Sequence, residues 1–405
     1  MQKKHVLVIG GGAAGFFASA NVDPSLFSLT LLEQNQDVLQ KVKVSGGGRC
    51  NVSHAEFDPR ELVAFYPRGY RELKSVFSKF QPGDTMAWFS ERGVELKIEA
   101  DGRIFPESNS SQTIIDCLKN EVLKKGFQIE TKTTVQAIVK SENGFNVQTT
   151  KADYKADYVI FATGSSPKSL KLLESLGHSI IPQVPSLFTF NIKDPRLEGL
   201  AGTSFATSEL QLPELKSSEH GPLLITHWGL SGPCILKASA WNARGLAERQ
   251  YKFRIKVNFV GISSEELKSR LLQHKQDHPK KSLIQSKIFE LTNRFWASML
   301  SYCRIPPDQQ MASLSSEQLN TLVKNLCESE FDVDGKSTFK EEFVSAGGIN
   351  LKEINFKTMS SRHIEGLYIA GEVLDIDAVT GGFNFQACWS EGWLVSEALN
   401  GLASS

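Results

Sequence analysis

The chain has 405 residues, enough for two or three domains and a substantial core. Lys plus Arg equals Asp plus Glu at 45 each, and 40% of residues are hydrophobic, which excludes a global charge bias toward nucleic acid or anionic membrane and describes an ordinary globular protein. No apolar run approaches the roughly 20 residues of a membrane span, and the six cysteines form no C-x-x-C pair, so neither a zinc site nor a redox disulfide of that type is expected.

In chain order, the apolar run Val6 to Ile9 predicts a strand. It stops at Gly10-Gly11-Gly12-Ala13-Ala14-Gly15, which reads G-x-G-x-x-G, and a small-residue helix is predicted over 13–22. A second strand over 28–32 ends on Glu33. Together these segments predict a dinucleotide site. Gly10 turns the chain, Gly12 admits a pyrophosphate close to the backbone, and Gly15 lets helix and sheet approach. The helix N-terminus offers N–H groups to the phosphates, and Glu33 can accept hydrogen bonds from ribose hydroxyls. The basic start before the apolar run resembles an export signal, but the glycine spacing accounts for the same residues, so none is expected. Reduced thiols and a cytoplasmic location are the matching expectation.

Next comes Lys41-Val42-Lys43-Val44-Ser45-Gly46-Gly47-Gly48-Arg49-Cys50-Asn51. Its glycines can turn backbone N–H groups toward an anion or a ring edge. Arg49 and the lysines Lys41 and Lys43 can neutralise phosphate or a developing negative charge there. Residues 59–94 read as helical, 95–99 as a strand, and Asp101-Gly102 as a hairpin turn leading to Arg103-Ile104-Phe105-Pro106. An amphipathic helix is predicted over 113–125, stopped by Gly126. Strands follow over 127–130 and 134–139, then a hairpin from 145. The buried strand 158–161 ends at Ala162-Thr163-Gly164, where small residues let a cofactor approach.

Ile181-Pro182-Gln183-Val184-Pro185 reads as a stiff crossing and a domain boundary. Residues 186–259 alternate like an all-β module, and 263–328 read as helices. Thr226-His227-Trp228-Gly229-Leu230-Ser231-Gly232-Pro233 makes His227 a candidate for proton transfer, although no acid is visibly tied to it. Strand returns over 339–344. The strand ending at Ala370-Gly371-Glu372 leads through Asp375, Asp377 and Thr380-Gly381-Gly382 into a helix over 384–399. The C-terminus thus repeats the strand, small-residue loop and helix start of the N-terminus. Glu372 can bond a ribityl hydroxyl, and the N–H groups near Gly382–Asn384 can face the electron-rich edge of a flavin.

These motifs, in this order, resemble the bacterial FAD flavoproteins that include aminoacetone oxidase and a bile-acid dehydroxylation reductase. The resemblance covers nearly the whole chain. Its specific parts are Ser45–Asn51 and the C-terminal loop. It implies an α/β fold with a Rossmann-type FAD domain of glutathione-reductase type, carrying an inserted β-barrel-like module and a small helical subdomain. The corresponding boundaries are 1–187 with 340–405 for the FAD domain, 188–262 for the β-rich module and 263–339 for the helices. It also implies non-covalent FAD lined by Gly10, Gly12, Ala14, Gly15, Glu33, Lys43, Gly48, Arg49, Val135, Thr163, Gly164, Glu372, Gly382, Phe383 and Asn384. Their neighbours Ala13, Gln34, Ser45, Gly47, Asn51, Ala162 and Gly371 complete the expected cofactor set.

One departure stands out. After Ala162-Thr163-Gly164 many relatives carry another Gly and a longer Tyr/Pro/Thr/Gly-rich loop, where this chain reads Ser165-Ser166-Pro167-Lys168-Ser169-Leu170. No relative's substrate therefore transfers directly. The expected activity is hydride transfer between FAD and a small organic substrate approaching at the edge of the inserted module, with NAD(P)H a candidate transient co-substrate. His227 and Arg49 are the candidate catalytic residues. The alternatives are an oxygen-using amine oxidase, an RNA-modifying flavoprotein and a non-catalytic flavin-binding protein. Neither a metal, a nucleic acid nor a membrane is expected as partner, and the sequence leaves the oligomeric state open.

Overall fold

Residues 3–337 and 344–402 are described in the computed structural model. The chain falls into two units, Met1–Val184 with Lys340–Ser405, and Pro185–Phe339. Apart from Val344, the strand expected over 339–344 lies outside the described residues, as does the expected boundary at 339/340.

The first unit is built on a seven-stranded sheet. Its parallel centre runs Leu367–Ile369, Tyr158–Phe161, Lys4–Ile9, Phe27–Leu32 and Gln128–Glu130, each hydrogen-bonded to the next. The short strands Ser360–Ser361 and Ile354–Asn355 add an antiparallel edge. Val6, Leu7 and Val8 are fully buried. A parallel strand covered on both faces needs this kind of uninterrupted apolar run, not alternation.

The helix Ala13–Asn21 is buried along nearly its whole length. It packs against the C-terminal helix Phe383–Gly401. Glycine makes that contact possible: a Cβ on Gly392 would stand 2.9 Å from the Ala14 carbonyl oxygen. All five parallel strands point their carboxyl ends the same way. Gly10, Glu33, Ala162 and Ala370 therefore emerge along one edge, the edge where open α/β sheets bind ligands.

Two three-stranded antiparallel sheets flank this centre, one of Ser53–His54, Arg103–Pro106 and Leu96–Ile98, the other of Val135–Ser141, Gly144–Thr149 and Tyr154–Ala156. The proline-marked stretch at 181–185 contains the division between the two units, Val184/Pro185. It lies inside the strand Ile180–Ser186, paired with Val344–Ile349 in a two-stranded sheet. A two-stranded sheet consists of edges, which tolerate proline.

The second unit centres on seven strands ordered Ser329–Asp334, Lys252–Asn258, Ser204–Leu212, Ser217–Ile225, Gly229–Ser231, Thr189–Asn191 and Lys336–Ser337. The first and last of these are consecutive in the chain, so the sheet closes on itself through Gly335. At φ +101°, Gly335 donates its N–H to the Tyr251 carbonyl (2.9 Å) and accepts from the Asn191 N–H (3.1 Å). Closure removes the exposed edges of an open sheet.

Residues 186–259, read as all-β, also contain the helices Pro233–Trp241 and Ala243–Glu248. Their small and apolar residues, among them Cys234, Ile235, Ala238 and Ala240, are buried and leave no clear polar face for a helical period. The helices Ser264–Asp277, Asn293–Tyr302 and Ser316–Cys327 share one core with the strands. Phe295 there contacts Phe205 and Phe259 with ring centroids 4.7 and 4.9 Å apart. Among the described residues no helix is long and apolar enough to cross a membrane.

Candidate functional site

The site is assembled at the carboxyl edge of the parallel sheet. Gly10 sits at φ +113°, where a Cβ would collide with the Ala162 carbonyl oxygen at 2.3 Å. The adjacent strand end thus fixes the first turn. A Cβ on Gly15 would stand 2.2 Å from the Gly10 carbonyl oxygen, whereas one on Gly12 would meet nothing within 4 Å. The first and last glycines serve internal packing; the middle one keeps an open approach. Gly12 also caps the helix and, being glycine, brings no side-chain cap of its own, while Cys388 lies against the Ala14 backbone. A helix start of this kind favours a ligand of negative charge.

Glu33 is buried at the end of the second strand. Its carboxylate accepts from the Gly11 N–H (2.9 Å) and from the backbone and side chain of Asn35 (2.8 Å each). Glu33 therefore shapes the glycine turn as well as offering remaining lone pairs outward. Gln34 beside it is exposed. The Thr133 N–H donates to the Glu33 carbonyl (2.9 Å), which brings the start of the Val135–Ser141 strand alongside.

A chain of bonds then runs across the edge. Leu39 donates its N–H to the Gly11 carbonyl (2.8 Å) and leads into the short helix Gln40–Val44. From that helix Lys41 forms an ion pair with Glu372, which follows the strand Leu367–Ile369. Ser45, Gly46, Gly47 and Gly48 make the next turn, with all three glycines at positive φ. A Cβ on Gly46 would strike Phe105 and the Asn51 backbone at 2.9 Å, but Gly47 and Gly48 face open space. Asn51 then ties this turn to the C-terminal helix: its carboxamide accepts from the Gly382 N–H and donates to the Ser53 carbonyl, both at 3.0 Å.

Gly382 caps the C-terminal helix at φ +94°, again with no side-chain cap. The loop before it is internally braced. Asn384 accepts from the Ala378 N–H (3.0 Å) and donates to the Ala378 carbonyl (3.3 Å), and buried Asp377 pairs with Arg68. The Phe383 ring stacks on Phe65 and His54 at 4.3 and 4.6 Å. Its carbonyl accepts from the Tyr66 hydroxyl at 2.6 Å. Three glycine-built turns, Gly10–Gly15, Gly46–Gly48 and Gly381–Gly382, are thus linked along one edge. Two of them open a helix, and the open Cβ positions at Gly12, Gly47 and Gly48 leave backbone room that suits an extended dinucleotide.

Among the other predicted residues, Ala162, Thr163 and Gly164 follow the strand Tyr158–Phe161 directly, and Gly164 comes within 3.9 Å of Glu372 at its would-be Cβ. Gly371, at φ +85°, fits against Ala14 of the first helix start. The exposed Lys43 is held through its backbone, its N–H donating to the Leu39 carbonyl at 3.0 Å. Arg49 directs its guanidinium onto Phe105 (3.9 Å) and into an ion pair with Glu99 (2.6 Å). Cys50 is buried, which pushes its thiol up to about 12 and makes it a packing residue. His227 and Trp228 belong to the second unit, exposed where Ser217–Ile225 turns into Gly229–Ser231. Ser231 accepts there from Thr189 at 3.0 Å.

Sequence reasoning missed His54, Tyr66 and Glu391. His54 has a buried Nδ1 with no hydrogen-bond partner among the described residues, and burial lowers its pKa.

Elsewhere in this unit, His178, Glu353 and His363 bring two ring nitrogens and a carboxylate oxygen within 4.8 Å of one another. Ser361 Oγ accepts from the N–H groups of His363 (3.1 Å) and Ile364 (3.0 Å), so its own proton goes to His178 Nε2 at 3.0 Å. The ring proton then sits on Nδ1 and is donated to Glu353 at 2.8 Å. The nitrogen facing the carboxylate is a donor, not a metal ligand. A surface groove of about 870 Å³ lies between Val135–Ser141 and Pro167–Ser175, lined in part by Lys140, Lys168 and Lys171. It contains none of the predicted site residues.

The family described as HI0933-like protein Rossmann domain matches residues 4–398. The chain is 27% identical over 421 residues to the ribosomal RNA dihydrouridine synthase of Escherichia coli K12, covering 100% of each. It is 26% identical over 407 residues to the 3-dehydro-bile acid delta(4,6)-reductase of Clostridium scindens, covering 96% of this chain and 98% of that one. Among solved structures it is similar to a 3-ketosteroid-delta4-(5alpha)-dehydrogenase of Rhodococcus jostii RHA1, with a TM-score of 0.53, 13% identity and coverage of 99% and 98%.

Proposed function

The chain belongs to the HI0933-like Rossmann-domain family, and from that premise we propose that it is an FAD-dependent oxidoreductase holding its flavin without a covalent bond. The observation that carries this reading is the linked row of glycine turns at the sheet edge. A nicotinamide visiting one Rossmann turn would need only Gly10–Gly15 and Glu33. The bonds Lys41–Glu372 and Asn51–Gly382 extend the same surface to a second helix start, which suits a longer, resident dinucleotide. When bound, FAD would supply two-electron hydride chemistry. Gly12 and the first helix would hold the diphosphate, Glu33 the adenosine ribose and Glu372 the ribityl chain. The Gly382 helix start would favour negative charge on the reduced ring.

The proposed reaction class is reduction of a carbon–carbon double bond conjugated to a carbonyl. Two similar chains, named for a bile-acid delta(4,6)-reductase and for a dihydrouridine synthase, share that chemistry in their names. NAD(P)H is the proposed electron donor, docking transiently, and His227 is the proposed proton carrier. The second relative favours a second reading, in which the double bond belongs to a uracil base in RNA. The balanced composition does not oppose it, because a basic patch can be local.

Anaerobic mixing with NADPH and NADH tests the reading. Flavin bleaching, followed by reoxidation on addition of a conjugated steroid enone or a uridine-containing RNA, is expected. Reduction only by amines, with reoxidation only by oxygen, would replace it with an amine oxidase.

A further inference from the structure

Glu391 lies on the C-terminal helix and is 1% exposed. Its Oε2 accepts the Gly371 N–H at 2.5 Å, and its Oε1 has no hydrogen-bond partner among the described residues. Gly371 is wedged into place: a Cβ there would stand 3.1 Å from Ala14 Cβ and 3.8 Å from Cys388 Sγ. The next residue, Glu372, pairs with Lys41. One buried carboxyl therefore fixes the turn that joins the first helix start to the second half of the site.

We infer that Glu391 is a positioning residue for the dinucleotide site, holding the Gly371–Glu372 turn through an uncharged carboxyl, and that charging it loosens the cofactor. The inference rests on the FAD reading above.

The surroundings explain why the uncharged form is the working one. Burial pushes this carboxyl up to about 8, and the Gly371 N–H offsets that only in part. The helix Ala13–Asn21 has no ionisable side chain to compensate. Cys388 on the same helix and Tyr66 from the preceding layer are both raised, chiefly by burial and further by Glu391 itself, so neither supplies positive charge. Glu372 also acts on Cys388, and Lys41 opposes it from the surface side. An ionised Glu391 would thus add an anion behind a turn already flanked by the Glu372 carboxylate. A diphosphate at the first helix start would feel that repulsion across a poorly solvated interior.

The test is the dissociation constant of FAD, read by flavin fluorescence between about pH 6.5 and 9.5, for the wild type, Glu391→Gln and Glu391→Ala. Glutamine keeps an acceptor for Gly371 and never ionises. Wild-type affinity is expected to fall about tenfold across this range, about 1.4 kcal/mol. Glu391→Gln is expected to hold its affinity throughout, and Glu391→Ala to bind more weakly at every pH. Parallel pH profiles for the wild type and Glu391→Gln would overturn the inference, as would alanine binding like the wild type. Should the alanine variant fail to fold, the glutamine comparison still decides. FAD binding indifferent to pH in the wild type overturns the inference alone; no FAD binding at any pH overturns the FAD reading with it.

Discussion

At the residue scale, the three glycines of the first motif have different tasks, and substitution separates them. Alanine at Gly15 would collide with the Gly10 carbonyl, so Gly15→Ala is expected to lower the melting temperature by several degrees. Alanine at Gly12 meets open space at a negative φ of −92°. Gly12→Ala is expected to leave apo-protein stability within about 1 kcal/mol while weakening FAD. Equal loss of stability in both variants would contradict this division.

Glu391 gives a pH signature of stability, too. Its native carboxyl titrates near 8 against an ordinary 4.5. Between those values the native state holds a proton that the unfolded chain has released. Stability therefore falls as pH rises through that window and levels off above it. Apo Glu391→Gln is expected to gain about 2–4 kcal/mol relative to the wild type between pH 4.5 and pH 8.5, measured by urea melts. A constant difference would argue against a neutral native carboxyl. At this scale the glycines were legible because each answers a local backbone demand. Glu391 and His54 were not, because part of each environment comes from distant residues, Tyr66 for Glu391 and Phe383 for His54.

At the element scale, two strand–loop–helix units carry the site, and both could be read from sequence. Each leaves a local trace: an apolar run, a cluster of small residues, then a helix start. What joins them left no trace. Asn51 bonds to Gly382, the Trp389 indole donates to the Val52 carbonyl at 2.9 Å, and Ser53 and Thr85 both donate to Gln386 at 2.6 and 2.9 Å. Asn51→Ala would leave the Gly382 N–H and the Ser53 carbonyl without this partner, at a cost of about 1–3 kcal/mol. The expected result is a lower melting temperature and weaker FAD together. Retained FAD affinity would show that the second helix start is not held through Asn51.

The same limit hid the barrel closure. Gly335 reads as an ordinary turn residue, yet its φ of +101° and its two hydrogen bonds join the two edges of a seven-stranded sheet. Gly335→Val is expected to destabilise by about 1–3 kcal/mol through backbone strain. The helices at 233–248 escaped because small buried residues give neither a strand nor a helix period.

At the scale of the whole molecule, the parallel sheet takes strands from residue 4 to residue 369, and its first helix packs on its last. The proposed cofactor surface is therefore completed only when the C-terminal strand and helix are in place. Motif order along the chain gave the correct family and fold class, since each motif keeps its chemistry wherever the chain carries it. The substrate was not legible, because it depends on side chains and loops whose assembly no local pattern encodes. Arg49 illustrates this: its guanidinium packs on Phe105 and pairs with Glu99, contacts that its place in a glycine loop did not announce.

The absorption spectrum of the purified protein, before and after denaturation, tests the central claim most directly. The account predicts oxidised-flavin bands, one FAD per chain recovered in the supernatant, and neither in Gly12→Val. A colourless wild-type protein that takes up no added FAD would contradict it.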